Sequence, residues 1–106
     1  SDSTMAFYDP VMDKWTTCQN LPSIRGRNGF AVVGRNIFVI GGFNGIDRLK
    51  TCDVYNTDTD QWSQAPELLQ PRSATATGVI NGKIFVAGGF DGVNAVDNME
   101  MLNTQN

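Results

Sequence analysis

Ile84-Phe85-Val86-Ala87-Gly88-Gly89-Phe90-Asp91-Gly92 nearly repeats Ile37-Phe38-Val39-Ile40-Gly41-Gly42-Phe43-Asn44-Gly45. The two stretches lie 47 positions apart, and the match extends outward from them. Tyr8 falls on Tyr55, Asp13 on Asp60, Trp15 on Trp62, Leu21 on Leu68 and Arg25 on Arg72. Setting residues 1–59 against 48–106 without a gap gives 16 identities in 59 pairs. Ordinary composition would give about 4 by chance. The chain is therefore built from an internal repeat, and the repeat takes precedence over any other sign of fold.

Each unit reads as short strands parted by turn residues. Phe30 to Val33 and Ile37 to Ile40 are β-prone runs around Gly34-Arg35-Asn36. Thr77 to Ile80 and Ile84 to Ala87 repeat the hairpin around Asn81-Gly82-Lys83. Asn-Gly tolerates positive φ, which a tight hairpin requires. A Gly-Gly pair follows at the strand end, where Cβ atoms would clash. After it come Thr51 to Tyr55, a turn over Asn56 to Asp60, and a strand from Trp62. No stretch holds a 3.6-residue period, so essentially no helix is expected. Four short antiparallel strands per unit make one blade of a β-propeller. Ile37-Phe38-Val39-Ile40 is apolar throughout because both faces of such a sheet are covered.

Composition narrows the function. The chain has 106 residues, 41% hydrophobic and 18% charged, which is globular composition. The net charge of −3 gives no basic field, so no nucleic-acid partner is expected. No apolar run approaches the ~20 residues of a membrane span, and no stretch resembles a signal peptide. Arg25, Arg27 and Arg35, with Lys14 upstream, are read as a solvated cluster. Cys18 and Cys52 have no zinc spacing and are read as free thiols. No Asn-x-Ser/Thr sequon occurs, and a cytoplasmic chain is expected. His is absent, which removes imidazole bases and ligands. No nucleophile–base or paired-carboxylate constellation is found, so no enzyme, cofactor or metal site is expected. Gly-Gly-Phe-Asn-Gly lacks the Gly-Lys-Ser/Thr of a phosphate loop, and Asp91 to Asp97 lacks EF-hand spacing.

The di-glycine after an apolar strand, with Val54-Tyr55 and Trp62 beyond it, resembles the kelch repeat. The resemblance covers essentially the whole chain and is closest to the propellers of BTB–kelch proteins, which have six blades. It implies an all-β chain of about two repeats that does not close a ring by itself. Kelch strands are lettered A to D from the channel outwards. On that scheme residues 1–24 hold strands C and D of a partial blade, 25–71 a complete blade, and 72–106 strands A to C of an incomplete one. Nine strands result. Leu102 and Ala65 depart from their counterparts Tyr55 and Cys18. The last unit ends at Asn106, before any counterpart of Trp62.

The resemblance assigns roles. Gly41, Gly42, Gly88 and Gly89 are structural. Trp15 and Trp62 pack between blades, and Tyr8 and Tyr55 are core aromatics. Arg25 and Arg72 bond to carbonyls or carboxylates between blades. Binding belongs to loops on a rigid scaffold, here the loops entering strand A and joining B to C. They are residues 23–28 and 44–49 in one unit, and 70–75 and 91–95 in the next. Arg27 matches a position where family members place a ligand-binding arginine, and its counterpart is Ala74. Asn28, Arg48 and Ser73 are further candidates for partner contact. The implied partners are proteins: a degron-like peptide, if this is the substrate-recognition part of a cullin-type ubiquitin ligase adaptor, or a cytoskeletal protein such as actin. A BTB domain in the parent protein would separate the two. Exposed sheet faces also favour self-association. Three chains of two repeats would supply six blades, in a ring closed by threefold symmetry.

Overall fold

The computed structural model describes residues 25–104 in full, and the backbone of residues 6–9 and 14–17. The described residues form nine strands and no helix. These are β1 (Ala6–Asp9), β2 (Lys14–Thr17), β3 (Gly29–Val33), β4 (Asn36–Phe43), β5 (Arg48–Asn56), β6 (Gln61–Ala65), β7 (Ala76–Ile80), β8 (Lys83–Ala87) and β9 (Met99–Asn103). They build three sheets in the orders β1-β2, β3-β4-β5-β6 and β7-β8-β9. Every pair is antiparallel. The all-β architecture of about two open repeats is as the sequence implies. Tyr8 pairs with Trp15 in backbone register. The expected packing roles of their side chains, and Cys18, lie outside the described residues.

Two local expectations need correction. The hairpin turns hold two residues rather than three, since Val33 pairs Asn36 and Ile80 pairs Lys83. Asn81 and Gly82 sit at φ 50° and 74°, both in the left-handed region, so two residues suffice to reverse the chain. The second correction concerns Gly41-Gly42. This pair does not end β4. The strand runs on to Phe43 through an irregularity between Ile40 and Gly42, because Gly42 still pairs Leu49 and Phe43 pairs Arg48.

The core lies between the second and third sheets. Strand alternation puts Ala31, Phe38, Ile40 and Cys52 on one face of the second sheet. That face meets Ile84 and Val86 of the third sheet, with Leu68 from the connecting segment. Ile84 is the repeat counterpart of Ile37, which lies on the opposite face of β4 from Phe38. Successive units therefore stack by unlike faces, head to tail, and the pattern can continue through further units. Ile84 has no exposed surface and Val86 only 3%. An apolar cleft of about 310 Å³ remains between the sheets, beside Leu68 and Met101 and away from the β4–β5 loop.

Candidate functional site

The segments that enter β3 and β7 and the loops that follow β4 and β8 come together at one end of the sheets. Gly26 and Phe43 exchange backbone hydrogen bonds at 2.8 Å, as do Ser73 and Phe90 at 2.9 Å. Two arginines anchor these segments. Arg25 Nη1 donates to the carbonyls of Gly41 (2.9 Å) and Thr51 (2.8 Å), and Nη2 reaches Thr51 Oγ1 (3.1 Å) and Asp53 Oδ2 (3.0 Å). Arg72 Nη1 donates to the carbonyls of Gly88 (3.2 Å) and Asn98 (3.1 Å), and Nη2 to Asn98 Oδ1 (2.8 Å) and Glu100 Oε2 (2.7 Å). Carbonyls and carboxylates are the expected partners, but among the described residues these acceptors lie within the arginine's own unit and not across a boundary. The planar fork reaches two neighbouring strands of one sheet at once. The Arg72 backbone makes the crossing instead. Its carbonyl accepts from Gly42 N at 2.9 Å, and its amide donates to the Leu49 carbonyl at 3.1 Å.

The candidate residues have different surroundings. Arg27 is exposed, with its backbone at φ 52°. Its side chain makes no ion pair or hydrogen bond among the described residues. Its repeat counterpart Ala74 has φ 56°, and Ala74 N donates to the Arg27 carbonyl at 2.7 Å. The two units therefore share a strained backbone position, but only the first hangs a charge on it. Asn28 is half-buried, and its Nδ2 is enclosed without a hydrogen-bond partner. Thr75 Oγ1, at the counterpart position, is likewise enclosed and unpartnered.

Arg48 and Ser73 come together, but neither is free. The Arg48 guanidinium stacks 4.0 Å from the centroid of Phe43 and 4.9 Å from that of Phe90. Its Nε donates to Ser73 Oγ at 3.4 Å. Ser73 is 2% exposed, and its hydroxyl lies 3.4 Å from the Phe90 carbonyl. Phe43 and Phe90 are repeat counterparts, so this cation–π clasp locks consecutive units together.

Among the described residues the remaining basic side chains do not form a field. Arg25 is buried, and Arg35 pairs with Asp58 at 2.7 Å in the open. Tyr55 is buried at 2% exposure and its hydroxyl donates to Asp60. Its ring lies 5.2 Å from that of half-buried Trp62, tilted by 50°. Cys52 is a free, buried thiol, and burial pushes its pKa up, so it stays protonated at neutral pH. The carboxyl of Asp91 is held below its usual range by the amides of Asn94 and Val93, which donate to it.

The loops are braced alike. Asn44 Oδ1 accepts from the amides of Ile46 (2.9 Å) and Asp47 (2.8 Å). Asp91 Oδ1 accepts from those of Val93 and Asn94, both at 2.8 Å. These Asx turns were not read from the sequence, although an Asn or Asp ahead of Gly at both positions was the signal for them. Asp53 and Glu100 were also missed as arginine partners. They occupy counterpart positions, and a shared acid at one repeat offset could have found them.

Among the described residues no helix is long and apolar enough to cross a membrane. Among the same described residues no group of three His, Cys, Asp or Glu side chains lies close enough to hold a metal ion. The family model described as Kelch motif matches residues 24–69 and 71–106. Over 56 residues the chain is 39% identical to Kelch-like protein 22 of Xenopus tropicalis. That stretch is 51% of this chain and 9% of the relative, so the chain spans a small part of the relative's length.

Proposed function

Because the chain belongs to the kelch-repeat family, we propose that it binds a protein partner through the loop end of its sheets, with Arg27 as the charged contact. Kelch repeats are a protein-interaction module, and we read this chain as one that binds without catalysing a reaction. We read the sheets as blades, with residues 1–24, 25–71 and 72–106 as their shares of the chain. One observation carries the site reading. Arg27 is the exposed guanidinium at that end with no ion pair among the described residues, on a backbone conformation that costs about 1–3 kcal/mol. Five donors in a fixed fork suit a carboxylate on the partner. Arg48 and Ser73 support the site from beneath rather than contacting the partner, and half-buried Asn28, whose Nδ2 is enclosed, sits beside it.

The finer reading is a substrate-recognition part of a cullin-type ubiquitin ligase adaptor, located in the cytoplasm. It rests on the resemblance to BTB–kelch proteins. Actin binding is the other reading of the same surface. Affinity capture with the parent protein tests both. Cullin among the captured proteins supports the first, and filamentous actin the second. Arg27→Ala should weaken the captured partner about tenfold, the loss of one charge-assisted hydrogen bond. Unchanged capture would remove Arg27 from the site.

Self-association is favoured by a separate observation. The outward face of the third sheet is apolar, with Ile80 62% and Met99 62% exposed. These lie on the face that, in the second sheet, packs against the next unit. Light scattering should give a multiple of 11.6 kDa, with three copies for a closed ring. A clean monomer would exclude the assembly.

A further inference from the structure

We infer that the edge of β9 takes β2 of a second copy of this chain as its fourth strand, with Trp15 of that copy opposite Leu102 at the apolar cleft. This rests on the reading that the chain self-associates, and it names the edge and the strand that do so. The second sheet shows the complete arrangement. There β6 lies along β5, with Trp62 directly across from Tyr55. Residues directly opposite share a face, and these two rings lie 5.2 Å apart. In the third sheet β9 is the edge strand. Such an edge presents a row of backbone donors and acceptors that an added strand can take. Leu102 is the counterpart of Tyr55 and a smaller residue. It packs towards the second sheet, and a cleft of about 310 Å³ opens beside it, lined also by Phe38, Cys52, Leu68 and Met101. The register of β6 on β5, carried one period on, puts a tryptophan opposite Leu102 and against this cleft.

The repeat identifies the occupant. Trp15 is the counterpart of Trp62, and β2 therefore matches β6. Within one chain β2 pairs with β1, in the register Ala6 to Thr17, Phe7 to Thr16 and Tyr8 to Trp15. Two periods on, Ala6, Phe7 and Tyr8 fall on Glu100, Met101 and Leu102. So β9 can replace β1 beside β2 without any shift of register. In that register Glu100 faces Thr17 and Asn103 faces Lys14, and no like charges oppose each other. The exchange has a driving force. β1 and β2 make a sheet of two strands, and a two-stranded sheet is marginal in water. As the fourth strand of the third sheet, β2 keeps its backbone pairs and sets Trp15 against apolar side chains. Each chain carries both β2 and β9, so the contact runs head to tail from copy to copy. It involves neither Arg27 nor the loop end.

The same register supplies the test. Cys52 pairs with Ala65 in the second sheet, so position 99 pairs with Cys18 of the next copy. Paired residues on antiparallel strands have Cα atoms about 4.5–5.5 Å apart, within reach of a disulfide. Met99 is 62% exposed, so a thiol there leaves the core intact. Met99→Cys is combined with Cys52→Ala, which leaves Cys18 as the only other thiol. Oxidised glutathione takes up the two electrons: the two thiols lose their protons and join, and glutathione leaves as two thiols. Non-reducing gels should show multiples of 11.6 kDa, and peptide mapping should join Cys18 to position 99. Met101→Cys in the same background should cross-link about tenfold less, because its diagonal to Cys18 is too long. Trp15→Ala should weaken assembly about a hundredfold, read by light scattering on dilution. No cross-link, a bond formed within one chain, equal cross-linking from positions 99 and 101, or undiminished assembly of Trp15→Ala would each overturn the proposal. Multimers without the bond from Cys18 to position 99 would overturn it while leaving self-association standing, and a clean monomer would overturn both.

Discussion

Replacing Arg72 with alanine is expected to cost the chain about 3–5 kcal/mol of stability. The side chain has no exposed surface and gives its donors to four acceptors. Truncation leaves the Glu100 carboxylate, two backbone carbonyls and the Asn98 amide oxygen without those donors. Water reaches them poorly, since the Glu100 side chain is only 10% exposed. The loss therefore reflects the orphaned partners more than the strength of the ion pair itself. Against a domain stability of about 5–15 kcal/mol this is a large fraction. Urea denaturation followed by tryptophan fluorescence measures it. Arg72→Met should fail almost as badly, because it fills the space without supplying donors. Adding Glu100→Leu to Arg72→Met should recover a good part of the loss, because the buried charge goes with its partner. A loss below about 1 kcal/mol for Arg72→Ala would show that the pair is dispensable.

The second large effect is expected at the first di-glycine. Gly41 has φ 59°, and a Cβ built there would lie 2.5 Å from the Arg72 carbonyl. Gly42 has φ 110°, where a side chain would lie 2.7 Å from the Gly26 carbonyl. Both obstacles are backbone. They are held in place by hydrogen bonds from Gly42 N to Arg72 O (2.9 Å) and from Phe43 N to Gly26 O (2.8 Å). Withdrawing the Arg72 carbonyl would loosen the junction between the units, and withdrawing the Gly26 carbonyl would release the segment entering β3 from the end of β4. Gly41→Ala and Gly42→Ala should each cost roughly 3–5 kcal/mol, from strained backbone and overpacking together. Gly88→Ala is the contrast. Its φ is 68°, but the nearest obstacle is the Val96 carbonyl at 3.7 Å, so about 1 kcal/mol is expected. Equal losses at Gly41 and Gly88 would mean that contact with the next unit plays no part.

This difference shows where sequence reading reaches its limit. The period of 47 puts Gly41 and Gly88 in the same role, and the strands, hairpins and apolar faces follow from it. What separates the two glycines is a neighbour. Gly41 has the Arg72 carbonyl against it, and Gly88 has no comparable contact among the described residues. The arginines show the same limit. Arg25 and Arg72 are legible as structural because they repeat, but their acids lie 28 residues on and become visible only once β5 and β9 are placed beside them. Arg48 and Ser73 looked like loop residues open to a partner. Ser73 is buried and Arg48 half-buried, with Phe43 and Phe90 closing on the guanidinium in a contact between units that no single loop encodes. The proposal for Arg27 rests on the sequence for the opposite reason. The surroundings of Arg27 are solvent, so its residue type and place in the repeat carry most of what there is to know.

Hydrogen exchange of the chain with and without a captured partner tests the central claim most directly, namely that a protein binds at the loop end of two kelch repeats. Amides of residues 25–28, 44–48, 73–75 and 91–95 should be protected in the complex, with β6 and the outer edge of β9 unchanged. Protection confined to β6, β9 or the outward face of the third sheet, with the loops exchanging as in the free chain, would contradict it.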